Sequence, residues 1–446
     1  MRTLVVRALG IVIAVLLLAG VGGYWYARPL LLTGTGYAAH NACALASIAG
    51  REEINADLPP NPLVPYLVIN DEGADGEASV LGLLARQRAW YTEGVGCTLA
   101  PADPGWAAVT PVDPGPNPLL DVPAPTGTGS VSASLARAFG DDLDHLERER
   151  LGTRGVVVLH KGKLIAERYA DGFTAKTPQL GWSMGKSVTN LLLGRLVQQG
   201  VVHPSDDDLR PEWADGRRAI TIDQLSRMTS GLAWDETYDL GTPITRMLYL
   251  EPDMAAYVAS LPSAHQPGSY QQYSSGSTNL LCKVLAERAG SVPGTALQRE
   301  LFGKLGLSSA VWEPDATGTP VCSSYLWATP RDWAVLGQLA LQDGVWNGEQ
   351  LLPPGWMKQS TTVEAVSQTE DPGYAAGWWA NRLPDGSLVR ESLPADAYWA
   401  SGHDGQRVYV VPSADLVVVR LGFSPDVESD DLRTDPLVAE LIAALR

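Results

Sequence analysis

No two cysteines in this sequence are placed to share a metal. The four, Cys43, Cys97, Cys282 and Cys322, form no C-x-x-C, and no histidine lies at zinc-ligand spacing from any of them. No metal and no other cofactor is therefore assigned. The first 40 residues contain no cysteine at all, which excludes a lipid-modified cysteine near the N-terminus. Basic residues are also scarce, 33 Lys and Arg against 50 Asp and Glu, for a net charge of −17. No basic run appears, and phosphate binding needs clustered Lys and Arg, so a nucleic-acid partner is not expected. The acid instead suits an exported or peripheral domain that must stay soluble. No internal repeat is visible.

One long stretch lacks charge altogether. Ala8 to Ala27 reads "ALGIVIAVLLLAGVGGYWYA" and is closed by Arg28. Twenty helical residues at about 1.5 Å each match the roughly 30 Å hydrocarbon layer. Tyr24, Trp25 and Tyr26 fall at its far end, where an aromatic belt would lie. Arg2, Arg7 and the terminal amine outweigh Arg28, so the N-terminus is expected in the cytoplasm and the rest exported. A cleaved signal peptide is the rival reading. Small residues at Gly20 to Gly23 would permit cleavage, although no A-x-A is present. In an oxidising compartment Cys43 and Cys97 are a reasonable disulfide, with Cys282 and Cys322 a second candidate pair. Four small buried thiols are the alternative.

Three segments follow from composition: residues 1–28 as anchor or signal, 29–125 as a small extension with a connector, and 126–446 as the main domain. In the extension, "GYAAHNACALASIAG" reads as a short helix, and "PYLVIN", "ASVLGLL" and "QRAWYTEG" read as strands. Eight prolines between Pro101 and Gly127 indicate an extended connector. Trp106 and Leu119–Leu120 need cover, so it should lie along the main domain. There, "VVVLHKGKLIAERYA" (156–170) and "RVYVVPSADLVVVRLG" (407–422) read as hairpins turning at Lys161–Gly162 and Pro412–Asp415. "DPLVAELIAALR" closes the chain as an amphipathic helix. About 200 residues of helical pattern lie between. The layout fits one antiparallel sheet built from both ends of the domain and covered by helices, and does not fit a βαβ alternation.

The stretch "GWSMGKS" (181–187) admits three chemistries. A phosphate-binding P-loop needs glycine at position 180, which is Leu180, and an apolar strand before it. A G-x-S-x-G nucleophile elbow also needs that strand, and "TAKTPQL" is a polar loop. S-x-x-K survives. The helix expected from Ser183 to Gln199 puts Ser183 and Lys186 one turn apart on one face. The serine would sit at the helix N-terminus, where N–H groups favour negative charge. A buried Lys186 would lose affinity for its proton and could accept the serine's. A helix-capping serine beside a surface lysine is the plainer alternative. The "DDD" run at 206–208 is read as a loop cap, and His203 as solvated.

Further segments match in order. "SMGK" (183–186), "YSS" (273–275) and "HDG" (403–405), with flanks such as "ITIDQLSRMTSGLAWDE" (220–236), resemble the class C β-lactamase and penicillin-recognising serine hydrolases. The likeness is greatest to the esterase and 6-aminohexanoate-dimer hydrolase branch, and it covers about two-thirds of the chain. The segment before residue 100, with Cys43 and "GVGC", resembles the extension of membrane-anchored members.

The resemblance implies an α+β, β-lactamase/transpeptidase-like fold: a central antiparallel sheet, flanking helices and a mainly helical subdomain. It implies Ser183 as the acylated nucleophile, with Lys186 and Tyr273 as general base and acid. The Tyr273 phenol pKa is expected to be lowered by Lys186. The backbone N–H groups of Ser183 and Gln406 would form the oxyanion hole. His403, Gly405, Ser275 and Trp182 would contact an ester or amide substrate, small or peptide-like. Two positions depart from the pattern. Ser275 stands where Asn is usual, and His403 where the lysine of K-T-G supplies charge for a carboxylate. Both departures suit an ester or amide without that carboxylate, more than a penicillin or a D-Ala-D-Ala peptide. A non-catalytic envelope binding protein on the same fold is the remaining alternative. Oligomeric state is left open.

Overall fold

The computed structural model describes residues 2–290 and 295–446. The terminal amine of Met1, invoked above for orientation, lies outside them. The chain begins with one helix, α1 (Arg2–Ser47), long and apolar enough by length and composition to cross a membrane. The separate short helix expected after Gly36 is its continuation. Pro29 lies inside it and forfeits one i→i−4 bond, yet the helix persists because its second half is packed against the strands Asp75–Val80 and Leu84–Thr92. From Leu9 to Gly23 its side chains are uncharged and exposed, with Leu18 73% exposed. From Thr33 onward it is packed, with Ala38, Ala39 and Cys43 buried.

That packed half lies on an antiparallel sheet of β1 (Leu67–Glu72), β2 (Asp75–Val80), β3 (Leu84–Thr92) and β4 (Gly96–Leu99). A Cys43–Cys97 disulfide joins α1 to β4. The proline-rich segment then runs along the main domain as expected. Asn117 Nδ2 donates to Asp332 Oδ1 at 2.8 Å, and Arg331 Nη1 donates to the Leu119 carbonyl at 2.6 Å.

The main sheet draws on both ends of the domain. β5 (Thr153–His160) and β6 (Lys163–Tyr169) form the first expected hairpin. Lys161 and Gly162 both have positive φ at its turn. A two-residue strand, β7 (Gln179–Leu180), pairs outside this sheet with β8 (Leu326–Ala328). The remaining strands are β9 (Trp379–Ala380), β10 (Tyr398–Gly402), β11 (Gln406–Val411) and β12 (Leu416–Gly422). The order is β9-β10-β11-β12-β5-β6, antiparallel throughout.

Alternation along the strands fills two cores. Val156, Val158 and Val418 face α2 (Gly129–Ala138) and α7 (Thr434–Ala444). Val157, Leu159, Val417 and Val419 face the core that holds α3 (Met184–Gln198) and α6 (Pro330–Leu341). Each such side chain contributes about 1.5–3 kcal/mol by leaving water. Covering both faces explains why these strands read as unbroken apolar runs. α4 (Pro243–Leu250) and α5 (Ser275–Arg288) build the helical side of the cleft.

Candidate active site

The site starts from a strained turn. After β7 the chain turns at Gly181–Trp182, and Trp182 has φ +47°, a conformation that costs a bulky residue about 1–3 kcal/mol. Ser183 follows at the N-cap position of α3, and its side chain makes no capping bond. Lys186 is buried at 2% exposure. The alternative of a capping serine beside a surface lysine therefore does not hold. Instead, Lys186 Nζ lies 2.8 Å from Ser183 Oγ, 2.9 Å from Ser275 Oγ and 3.2 Å from the Ser323 carbonyl.

Gly185 makes this approach possible. A Cβ there would sit 2.6 Å from the Cys322 carbonyl oxygen, so only glycine lets the 322–324 segment close on α3. A second disulfide, Cys282–Cys322, fixes that segment to α5.

Desolvation lowers the Lys186 pKa to about 8, and the charge of Glu236 opposes the shift. Tyr273 lies across the lysine, its ring centroid 4.6 Å from Nζ, with its hydroxyl facing Ser183. Tyr374 and Trp379 enclose it at 5.1 and 5.9 Å between ring centroids. The expected fall in its pKa is not found. Burial, and then Glu236, push the phenol well above its ordinary range. The physical reason is that enclosure penalises a phenolate, and the Glu236 carboxylate adds like charge beside it. The phenol is therefore protonated, while the amine gives up its proton as the pH rises through about 8.

Glu236 went unassigned in the sequence, and it proves central to the site. Its Oε2 accepts from the Ser275 backbone N–H at 2.8 Å and from Trp234 Nε1 at 2.6 Å, and its Oε1 accepts from Ser275 Oγ. Ser275, expected on the substrate wall, is fully buried between Glu236 and Lys186 and faces the lysine instead. Only its place in the quoted 220–236 segment hinted at Glu236.

On the opposite wall, His403 is partly exposed and stacks on Tyr238 at 4.5 Å between ring centroids. It meets Trp182 edge-on at 5.6 Å. Trp182 is itself buried among Tyr37, Tyr238 and Tyr325, and so backs the site more than it lines it. Gly405 has φ +90°, and its carbonyl accepts from Arg420 Nη1 at 2.7 Å. It shapes the turn behind His403.

Gln406 opens β11, where its side-chain amide bonds Gly422 in both directions, 2.6 and 3.1 Å. Its ladder partner Gly402 abuts the turn before Ser183, since a Cβ there would lie 2.1 Å from the Gly181 oxygen. A cavity of about 250 Å3 adjoins His403 and Tyr238 and is closed by Tyr37, Gly34 and Pro59 of the extension.

Elsewhere, Asp206 accepts from the His203 backbone and Asp208 pairs with Arg218. Among the described residues no cluster of His, Cys, Asp and Glu is placed to hold a metal.

A 6-aminohexanoate-dimer hydrolase of Paenarthrobacter ureafaciens is 24% identical over 319 residues, 66% of this chain and 78% of its own. A solved structure from Bacillus anthracis, provisionally named 6-aminohexanoate-dimer hydrolase, has a TM-score of 0.60 at 21% identity, covering 75% of this chain and 90% of its own. EstCE1, described as a hydrolase with promiscuous acyltransferase activity, has a TM-score of 0.55 at 18% identity, covering 70% and 98%. The structural likenesses establish the β-lactamase/transpeptidase-like fold. Residues 143–442 match the family model described as Beta-lactamase, and the chain belongs to that family.

Proposed function

We propose that the protein is a serine hydrolase that cleaves an ester or amide through an acyl-enzyme on Ser183. The observation that carries this reading is the 2.8 Å approach of Lys186 Nζ to a non-capping Ser183 Oγ, with the lysine pKa lowered by burial. The free amine takes the serine proton as Oγ attacks the substrate carbonyl. The N–H groups of Ser183 and Gln406 receive the developing oxyanion. The ammonium then supports proton delivery through the Tyr273 phenol to the leaving oxygen or nitrogen, and that bond breaks. Water enters next and attacks the acyl carbon while giving a proton to the same amine–phenol pair; that proton passes back to Ser183 Oγ as the Oγ–acyl bond breaks, and the acid leaves. No step calls for a cofactor.

His403, in place of a lysine, argues for substrates without a free carboxylate at that point, and so against a penicillin or a D-Ala-D-Ala peptide. The first helix is proposed as an uncleaved, single-pass anchor in the cell membrane, with the catalytic domain on the exported side. The two disulfides support that placement. The organisation is read as anchor through residue 28, extension and connector over 29–125, and hydrolase over 126–446. The first boundary falls within the continuous α1.

The test is a panel of p-nitrophenyl esters, short linear amides and nitrocefin, run on wild type and Ser183→Ala. Ester turnover should vanish in the variant, and nitrocefin should stay near background. A fluorophosphonate probe should add mass at Ser183. A protein that never gains that mass would be a binding protein on this fold.

A further inference from the structure

The hairpin loop between β2 and β3 breaks a rule of soluble turns. Leu81 and Gly82 occupy its two positive-φ positions, φ +54° and +76°, where Asn, Asp or Gly is ordinarily preferred. Leu81 is 66% exposed and Leu83 80%, and neighbouring Tyr66 is 55% exposed. Leucine at such a position adds backbone strain and leaves its side chain in water, so solubility does not account for it.

The position of this tip does account for it. Ala85, two residues past Leu83, donates its N–H to Tyr24 Oη at 3.1 Å and accepts from Thr35 Oγ1 at 2.7 Å. The tip therefore hangs beside the stretch of α1 between Tyr24 and Thr35. That stretch contains Trp25, Tyr26 and Arg28, where the exposed apolar run of the helix ends. The register has a matching polarity: Leu67 pairs with Val80 at this end of the hairpin, and Glu72 with Asp75 at the other.

We propose that the Leu81–Leu83 turn is a second membrane contact, which seats the catalytic domain on the bilayer with the cavity beside His403 close to the lipid surface. The inference rests on reading α1 as an uncleaved anchor. Gly34, which lines that cavity, is eight helical residues beyond Tyr26, about 12 Å along the axis. Two fixed points, the helix and the turn, remove most of the swivel that a single span would allow. The substrate class follows: an ester or amide carried on a lipid chain, with its head group entering past Gly34, Pro59 and His403.

The test uses the full chain, carrying an environment-sensitive fluorophore on Leu83→Cys, in liposomes of phosphatidylethanolamine and phosphatidylglycerol. A second preparation carries the label on Asp385→Cys, in an exposed loop of the main domain. Emission from position 83 should be blue-shifted, and quenched by lipids bearing a nitroxide near the head group. Position 385 should show neither effect. If the chain stays with the liposomes but position 83 emits as position 385 does, the proposal fails. If the chain is not retained, the anchor reading fails and the proposal with it.

A double variant, Leu81→Asn with Leu83→Ser, gives the turn its preferred chemistry and so preserves the fold. Its turnover of a long-chain p-nitrophenyl ester dissolved in the liposomes should fall about tenfold, with p-nitrophenyl acetate unaffected. Unchanged turnover of the lipid-borne ester would overturn the proposal. Loss of the hydrolase reading would be seen separately, as Ser183→Ala retaining both activities while the fluorescence result stands.

Discussion

Glu236 tunes how basic the buried Lys186 amine is. Burial drives the Lys186 pKa down to about 8, and Glu236 holds it from falling further. In the proposed mechanism the neutral amine accepts the serine proton, so kcat/KM for a neutral ester should rise with pH along a limb near 8. In Glu236→Gln the opposing charge is gone, the amine loses its proton more readily, and the limb moves to lower pH. Activity at pH 6 relative to the plateau should then rise severalfold. A pH profile of both proteins checks this, and a limb that stays in place or moves upward would remove Glu236 from the electrostatics of the site. That Ser183, Lys186, Tyr273 and His403 gather at one place was legible in the sequence because each belongs to a short motif in a recognisable order. Glu236 was not, because it is one carboxylate among 50 acidic residues. It gains its role only when residue 236 folds against residue 275. The Tyr273 pKa was misjudged for a related reason, since the degree of enclosure by Tyr374 and Trp379 is set by chain segments about 100 residues away.

At the scale of elements, the lysine is held by a contact between α3, α5 and the 322–324 segment. The Cys282–Cys322 disulfide closes a loop with a sequence separation of 40. Constraining the unfolded chain by a loop of that length is worth about 2–4 kcal/mol. Cys282→Ala with Cys322→Ala should lower the urea midpoint accordingly. It should also cost activity beyond the loss of stability, because the Ser323 carbonyl that meets Lys186 is the next residue. The comparison is kcat measured well below the unfolding transition; an unchanged kcat would make the disulfide a general staple with no bearing on the lysine. Elements with unbroken apolar runs were readable in advance. The hairpins at 156–170 and 407–422 are bounded by Lys-Gly and Pro-Ser-Ala-Asp, and they pair as those boundaries imply. The length of α1 was not readable. Pro29 signals a stop to any local reading, and what carries the helix past it is packing against β2 and β3, which lie far along the chain.

For the whole molecule the question is what fixes the extension to the main domain, since Tyr37, Gly34 and Pro59 wall the cavity only if it is docked. The connector's proline content showed that it is extended, but not where it is clamped. One buried carboxylate joins the two parts. Glu313 is fully buried. Its Oε1 accepts from the Cys97 N–H of β4 at 2.7 Å. Its Oε2 accepts from Trp327 Nε1 of β8 at 2.8 Å and lies 2.9 Å from His40 Nε2 of α1. Removing the carboxylate leaves these groups facing a void, and breaking a buried charged network in this way costs about 3–5 kcal/mol. Glu313→Ala should therefore release the extension before the sheet domain unfolds. Trypsin should then cleave within residues 29–100 under conditions where wild type is intact, and thermal unfolding should split into two transitions. Glu313→Gln retains one acceptor and should fall between the two. Hydrolysis of a small soluble ester should survive docking loss better than hydrolysis of any substrate that uses the His403 cavity. A variant that melts in one transition at the wild-type midpoint would mean the extension is held elsewhere. The bilateral contacts of Asp57 with Arg51 and Arg154 would then be the next place to cut.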